Sequence, residues 1–364
     1  MKIGLLTFHR AENFGAVMQA YALQLYLQNE GHFVNIIDYR CPQIESQYHI
    51  YNPSILWQRK NIIISLTKYF ERFRTLNERK YRKKLYEEFR QNYLCVSDRC
   101  SRIKYNGNYD AYIVGSDQVW NLHITGGVDK NYFLGFEVPN NVIKISYAAS
   151  AEMDPFNLLD KNRVDINNYL SQFKEISVRE TFLKSQIERF SNRKIKVCLD
   201  PTFLLHKQSY LDIAHKPQEE NYILVYHMTP IPEAIVIAEK EALKAKCNVV
   251  EIYGGYSSDR KNKNCKYNLG PLELLGYILN AEKIITSSFH GLALSLILEK
   301  NVWVYNKGNN LRQRELLSKL SLEHRLVCSE NETLYGDLDY NRINNKLSEL
   351  IKDSKFYLKQ ALKK

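Results

Sequence analysis

The sequence predicts a doubly wound α/β protein. Three observations carry that expectation. Short apolar, β-branched runs recur along the chain, amphipathic helical patterns lie between them, and several runs are apolar without strict alternation, as in parallel strands covered on both faces. The runs fall at 2–8, 33–39, 111–116, 143–149, 175–179 and 195–199, then at 222–227, 247–253, 283–288 and 301–305. Helical patterns occupy 16–31, stopped by Gly31, and 232–246 and 271–281. With 364 residues, a prior of about 150 residues per domain gives roughly two domains. The expected division is an N-terminal α/β domain at 1–205, a second at 206–335 and a basic surface helix at 336–364. Residues 41–108 carry no strand signal and read as a helical insertion in the first domain.

Composition narrows the functional classes. Hydrophobic residues at 45% and charged residues at 25% fit a packed chain and exclude extended disorder. The seven cysteines are scattered and never form C-x-x-C, which excludes a zinc ribbon and argues against a disulfide scaffold. The N-terminus turns polar too soon for a signal peptide, and no run approaches the roughly 18 apolar residues of a bilayer span. A reducing cytoplasm is the expected location. Net charge is 51 − 40 = +11, concentrated at 51–90, where eleven Lys/Arg face four Glu. That segment reads either as a solvated helix pair or as a patch for anionic lipid, with Ile55, Leu56, Trp57 and Ile62–Ile64 dipping into the interface. Nucleic-acid binding would rest on charge alone, since no recognition module is present.

Unusual polar clusters fall at the expected C-terminal ends of strands, where open parallel sheets bind ligands. In TFHRAENFGAVMQA, Asn13 and Gly15 start a helix whose free N–H groups suit an anion or a sugar hydroxyl. The alternative there is a plain capping turn with His9 solvated. In GSDQVWN, Ser116 and Asp117 can cap a helix, and Trp120 is either core or a sugar platform. SVRE ends a strand on Arg179, able to clamp a phosphate or carboxylate or to pair with Glu180. In KIITSSFHGLALSLILEK, Ser287 and Ser288 cap a helix, His290 lies in its first turn, and Gly291 permits close approach. No cluster has metal-ligand spacing, so neither a metal nor another cofactor is expected.

TFHRAENFGAVMQAYAL, YIVGSDQVWN, SYAAS, SVRE, LDPTFLL and SSFHGLALSLIL, in this order over roughly residues 1–300, resemble the polysaccharide pyruvyl transferase family. The resemblance implies two Rossmann-like domains around a central cleft, as in GT-B glycosyltransferases. It implies transfer of a pyruvyl group from phosphoenolpyruvate to a sugar of a bacterial surface glycan, often lipid-linked at the inner membrane face, forming a ketal and releasing phosphate. By the same carry-over Arg179 and His290, flanked by Ser288 and Gly291, hold the donor. His290 and Asp117 are the expected catalytic pair, and Asn13, Gly15, Ser116 and Trp120 the expected acceptor contacts. Many members have arginine two residues before the histidine, where this chain has Ser288; Arg312 or Arg314 in GNNLRQREL is a candidate substitute. Two other readings are a nucleotide-sugar glycosyltransferase, with Glu299 as a possible ribose contact, and a noncatalytic glycan-binding relative.

Overall fold

The protein is described from a computed structural model, which covers residues 1–48, 75–152, 158–255, 265–308 and 311–363. Its first sheet contains β1 (Lys2–Leu6), β2 (Phe33–Tyr39), β3 (Val96–Cys100), β4 (Ala111–Val114) and β5 (Ile143–Ser146), ordered β3-β2-β1-β4-β5 and parallel throughout. The parallel pair β6 (Ile176–Val178) and β7 (Ile195–Val197) joins the β5 edge through bridges Ile145–Glu175 and Ala149–Val178. The second sheet contains β8 (Tyr222–His227), β9 (Asn248–Tyr253), β10 (Lys283–Thr286), β11 (Asn301–Tyr305) and β12 (Leu326–Val327). Its order is β12-β11-β10-β8-β9, again all parallel. Two doubly wound α/β lobes result.

Both faces of each sheet are buried, which explains the unbroken apolar runs. In the second sheet Tyr222, Leu224 and Tyr226 enter one core, while Ile223 and Val225 enter another against the helix Pro232–Ala245. The first of these cores is shared between the lobes. The helix Phe14–Asn29 packs there against the helices Pro271–Asn280 and Phe289–Ile297, and Phe14 meets Tyr226 edge-on at 6.2 Å. After Phe14–Asn29, Gly31 turns left-handed at φ 84°, its N–H reaching Gln28 O and that of His32 reaching Leu27 O, a Schellman closure.

The structure departs from the sequence expectations at several places. Residues 41–108 do contain a strand: β3 carries VSDRC, a polar, half-exposed sheet edge without the apolar signature. The edge strand β12 was also missed. The C-terminal helix Tyr340–Ala361 is no mere surface element, because its buried face docks back on the first lobe: the Tyr357 hydroxyl donates to Ser146 O, and the Leu199 N–H donates to Ser354 Oγ. One side of the charged helix Leu76–Tyr93 also turns inward, with Arg82, Tyr86, Phe89 and Arg90 buried. Arg82 donates to Glu12 O in the first lobe and to Gly254 O in the second. Ile55, Leu56, Trp57 and Ile62–Ile64 lie outside the described residues. Among the described residues no helix is long and apolar enough to cross a membrane. All seven cysteines are free.

Candidate active site

The strand order of each sheet reverses once, between β1 and β4 and between β8 and β10. The loops leaving these four strands, with the end of β11, converge on one cavity of about 610 Å³, where a doubly wound sheet places its ligands. Asn13 follows β1, Asp117 follows β4, Thr229 follows β8, Ser288 and His290 follow β10, and Lys307 follows β11.

His290 sits in the first turn of the helix Phe289–Ile297. Ser288 caps that helix by accepting the Gly291 N–H at 3.2 Å. Ser288 therefore does capping work. The imidazole lies directly on Gly15: a Cβ there would stand 1.9 Å from Nδ1, so glycine is the residue that admits the ring. Gly291 is equally constrained, since its Cβ would meet Thr286 Oγ1 at 2.5 Å and Tyr226 at 2.8 Å.

Behind His290 stands Asp200, which the sequence reading did not single out as functional. Its Oδ2 takes His290 Nε2 at 3.3 Å, Arg179 NH1 at 2.7 Å and the Ser116 hydroxyl at 3.3 Å. Its Oδ1 accepts the Thr202 N–H at 3.0 Å and hydroxyl at 2.8 Å. Burial alone would raise its pKa, but His290 and Arg179 outweigh burial and hold the carboxyl well below the usual range. An ionised carboxylate only accepts, so His290 Nε2 carries the proton and Nδ1, against Gly15, is left for other chemistry. The local signal available was LDPTFLL itself: Asp before Pro at a strand end caps a turn, and here the cap is buried under the histidine.

Arg179 is the second anchor of this network. Besides Asp200 it donates to Glu180 Oε1 at 2.9 Å and Ser150 Oγ at 2.8 Å, and its guanidinium lies 4.5 Å from the Phe289 ring centroid. It is buried and does not line the cavity. Instead it lines a small neighbouring pocket together with Asp200, Phe289 and Arg312, and both Arg179 and His290 meet on Asp200. Burial raises the Glu180 pKa despite Arg179 and Ser150 beside it.

Other expectations divide in the same way. Asn13 lines the cavity while capping its helix through the Ala16 N–H at 3.3 Å. Asp117 lines it too, held at φ 63° in the left-handed region that Asp tolerates. Ser116 is fully buried beneath it and bonds Ala148 O at 2.8 Å, so it offers no acceptor contact. Trp120 is corrected from sugar platform to core: it is fully buried, stacks on Phe133 at 5.4 Å and donates to Tyr132 O at 3.0 Å. His9 is not solvated but buried against Asp38 at 3.0 Å. Glu299 lies outside the cavity, paired with Lys207 at 2.6 Å.

Of the two substitute arginines, Arg312 lines the cavity and Arg314 does not. Arg312 reaches Glu152 Oε1 at 3.2 Å, but its buried Nε has no hydrogen-bond partner among the described residues. Burial and then the charge of Arg179 lower its pKa. Beside it the buried Gln313 Nε2 is likewise unpartnered among the described residues, and it too lines the cavity. Burying donors without acceptors is costly, and an anion bound here would relieve both.

Solved structures similar to this chain include the UDP-GlcNAc 2-epimerase of Methanocaldococcus jannaschii in complex with UDP-GlcNAc and UDP, at 14% identity and TM-score 0.45, covering 96% of this chain and 93% of that one. Another is the UDP-GlcNAc 2-epimerase from Neisseria meningitidis bound to UDP-GlcNAc, at 11% identity and TM-score 0.46, covering 100% of this chain and 95% of that one. None of the curated proteins matches the sequence. The model of one family, polysaccharide pyruvyl transferase, matches residues 13–307. That span runs from the Asn13 cap to Lys307 on the cavity wall and contains Asp200, Arg179 and His290, so the chain belongs to the polysaccharide pyruvyl transferase family.

Proposed function

We propose that the chain transfers a pyruvyl group from phosphoenolpyruvate to a sugar of a bacterial surface glycan or its lipid-linked precursor. The observation that carries this reading is an Asp200-oriented His290 lining the same cavity as Arg312, a cation short of acceptors. Phosphoenolpyruvate is small and carries a phosphate and a carboxylate, which suits a site combining a guanidinium, Lys307 and a helix N-terminus.

The chemistry is acid–base. A proton added to the methylene carbon leaves C2 oxocarbenium-like. A sugar hydroxyl adds to C2, forming one C2–O bond and giving up its proton, while phosphate stays attached. The C2–O bond to phosphate then breaks, phosphate leaves, and a second hydroxyl forms the other C2–O bond, losing its proton and closing the ketal. In this proposal His290 shuttles a proton at Nδ1 or contacts the phosphate, with Asp200 stabilising the imidazolium and Arg179 holding Asp200 in place. Asp117 is the base for the acceptor hydroxyl. Its charge reaches both Arg179 and Arg312. Asn13 helps position the sugar. Gly15 and Gly291 act by giving the imidazole and its helix room. Lys80, Lys83 and Lys84, exposed on the helix Leu76–Tyr93, support contact with an anionic membrane surface that presents the acceptor.

The test is incubation with phosphoenolpyruvate and candidate free or lipid-linked galactosides, following phosphate release and the mass of the acceptor. Stoichiometric phosphate and a ketal-bearing sugar are expected. Turnover of a nucleotide sugar in place of phosphoenolpyruvate refutes the proposed donor, and saturable glycan binding without turnover points to a noncatalytic relative.

A further inference from the structure

We propose that His227, Glu251 and Cys265 form a site for a divalent transition-metal ion of the zinc class, separate from the catalytic cavity. Their ligand atoms all lie within 4.8 Å of one another, the one such His/Cys/acid group among the described residues. No sequence spacing announces it, because the residues come from three segments. His227 ends β8, Glu251 stands in the neighbouring β9, and Cys265 precedes Lys266, which bridges Ile252 as an added parallel edge. The Lys266 N–H donates to Glu251 O at 2.8 Å and the Tyr253 N–H to Lys266 O at 2.9 Å, so backbone pairing fixes the spacing.

The histidine is set up as a ligand. His227 Nδ1 contacts Thr229 O at 2.9 Å, and a carbonyl only accepts, so Nδ1 carries the proton. That is the outer-sphere bond usually seen behind a metal-bound imidazole. Nε2 then faces Glu251 Oε1 at 2.8 Å, an arrangement that needs a cation between them, whether a proton or a metal ion. Tetrahedral zinc, with bonds of about 2.0–2.3 Å, spaces its ligand atoms roughly 3.3–3.8 Å apart. One imidazole, one carboxylate and one thiolate, the last formed as the metal displaces the Cys265 thiol proton to solvent, with water completing the shell, is a borderline-soft donor set suited to zinc or cobalt. The ion ties the 265–266 edge to β8 one residue before Met228 and Thr229, which line the catalytic cavity. It therefore braces that wall.

Cobalt(II) titration of the full chain, reduced and stripped of metal, tests this. One equivalent per chain is expected, with a thiolate-to-cobalt charge-transfer band in the near ultraviolet that zinc abolishes. Cys265→Ser should lose the band and the zinc-dependent rise in melting temperature while keeping the metal-free melting temperature. Should that variant fail to fold, His227→Gln reads the same site. Binding well below one equivalent, absence of the band in the wild type, or a band that survives Cys265→Ser or His227→Gln overturns the proposal.

Discussion

Asp200→Asn isolates the network behind His290. The change keeps shape and retains Oδ1 for the Thr202 N–H and hydroxyl, but it replaces Oδ2 by an amide facing Arg179 at 2.7 Å and His290 at 3.3 Å. Removing one partner of a buried ion pair costs about 3–5 kcal/mol. The lower end applies, because Arg179 keeps Glu180 at 2.9 Å. With an unfolding entropy of about 2.1 cal/mol/K per residue and 364 residues, about 3 kcal/mol lowers the melting temperature by about 4 °C. Losing the carboxylate that fixes the imidazole tautomer should cut kcat about 10²–10⁴-fold, measured by phosphate release. The ¹⁵N shifts of labelled histidine report whether the Nε2 proton is lost. The pH dependence has a definite sign. Asp200 is held below its ordinary value, so its contribution is complete above about pH 3.9 and fades as pH falls towards the folded value. The stability gap between wild type and variant should narrow over that window. A variant with at least half the wild-type kcat and unchanged histidine shifts refutes the role given to Asp200.

Gly15→Ala, whose Cβ would collide with Nδ1 at 1.9 Å, should cost about 1–3 kcal/mol of stability as an overpacked contact and at least about 10²-fold in kcat through misplacement of His290. Arg312→Ala should raise the KM for phosphoenolpyruvate at least about tenfold, the loss of a charge-assisted contact, and Arg314→Ala should leave it unchanged. Trp120→Ala should lower stability by about 3–5 kcal/mol in denaturant titration, while the folded fraction keeps its specific activity. Changing Lys80, Lys83 and Lys84 together to Gln should abolish flotation with anionic vesicles, since each lysine near such a surface contributes about 1 kcal/mol. Lys144 is buried, and burial followed by Lys130 lowers its pKa to about 8. Unfolding then takes up a proton between about pH 8 and 10.4, so stability should rise with pH across that window, and Lys144→Met should remove the rise.

The sequence was most legible where a segment is buried on both sides, because burial there leaves an unbroken apolar run. Hence β8 and β10, with flanking helices started by Pro232 and Pro271 and one ended by Gly31, stand near their expected places. Edge strands left no such trace: β3 reads VSDRC because one side meets solvent. In the site, the loops after strands were found but the direction of each side chain was not. In GSDQVWN, Asp117 turns to the cavity while Ser116 and Trp120 turn inward, a choice made by the left-handed Asp117 backbone and by Phe133, thirteen positions from Trp120. Asp200 was hidden for a related reason. Its partners lie 21 and 90 residues away, and only the packing of the two lobes shows that a capping aspartate also supports His290.

In the proposed reaction His290 and Arg312 bind one small dianionic donor in the inter-lobe cavity. A crystal structure of the chain with phosphoenolpyruvate bound tests it most directly. The phosphate is expected within hydrogen-bonding distance of Arg312 and His290, with Arg179 still on Asp200. Donor bound outside this cavity, or gripped by Arg179 after it has released Asp200, contradicts it.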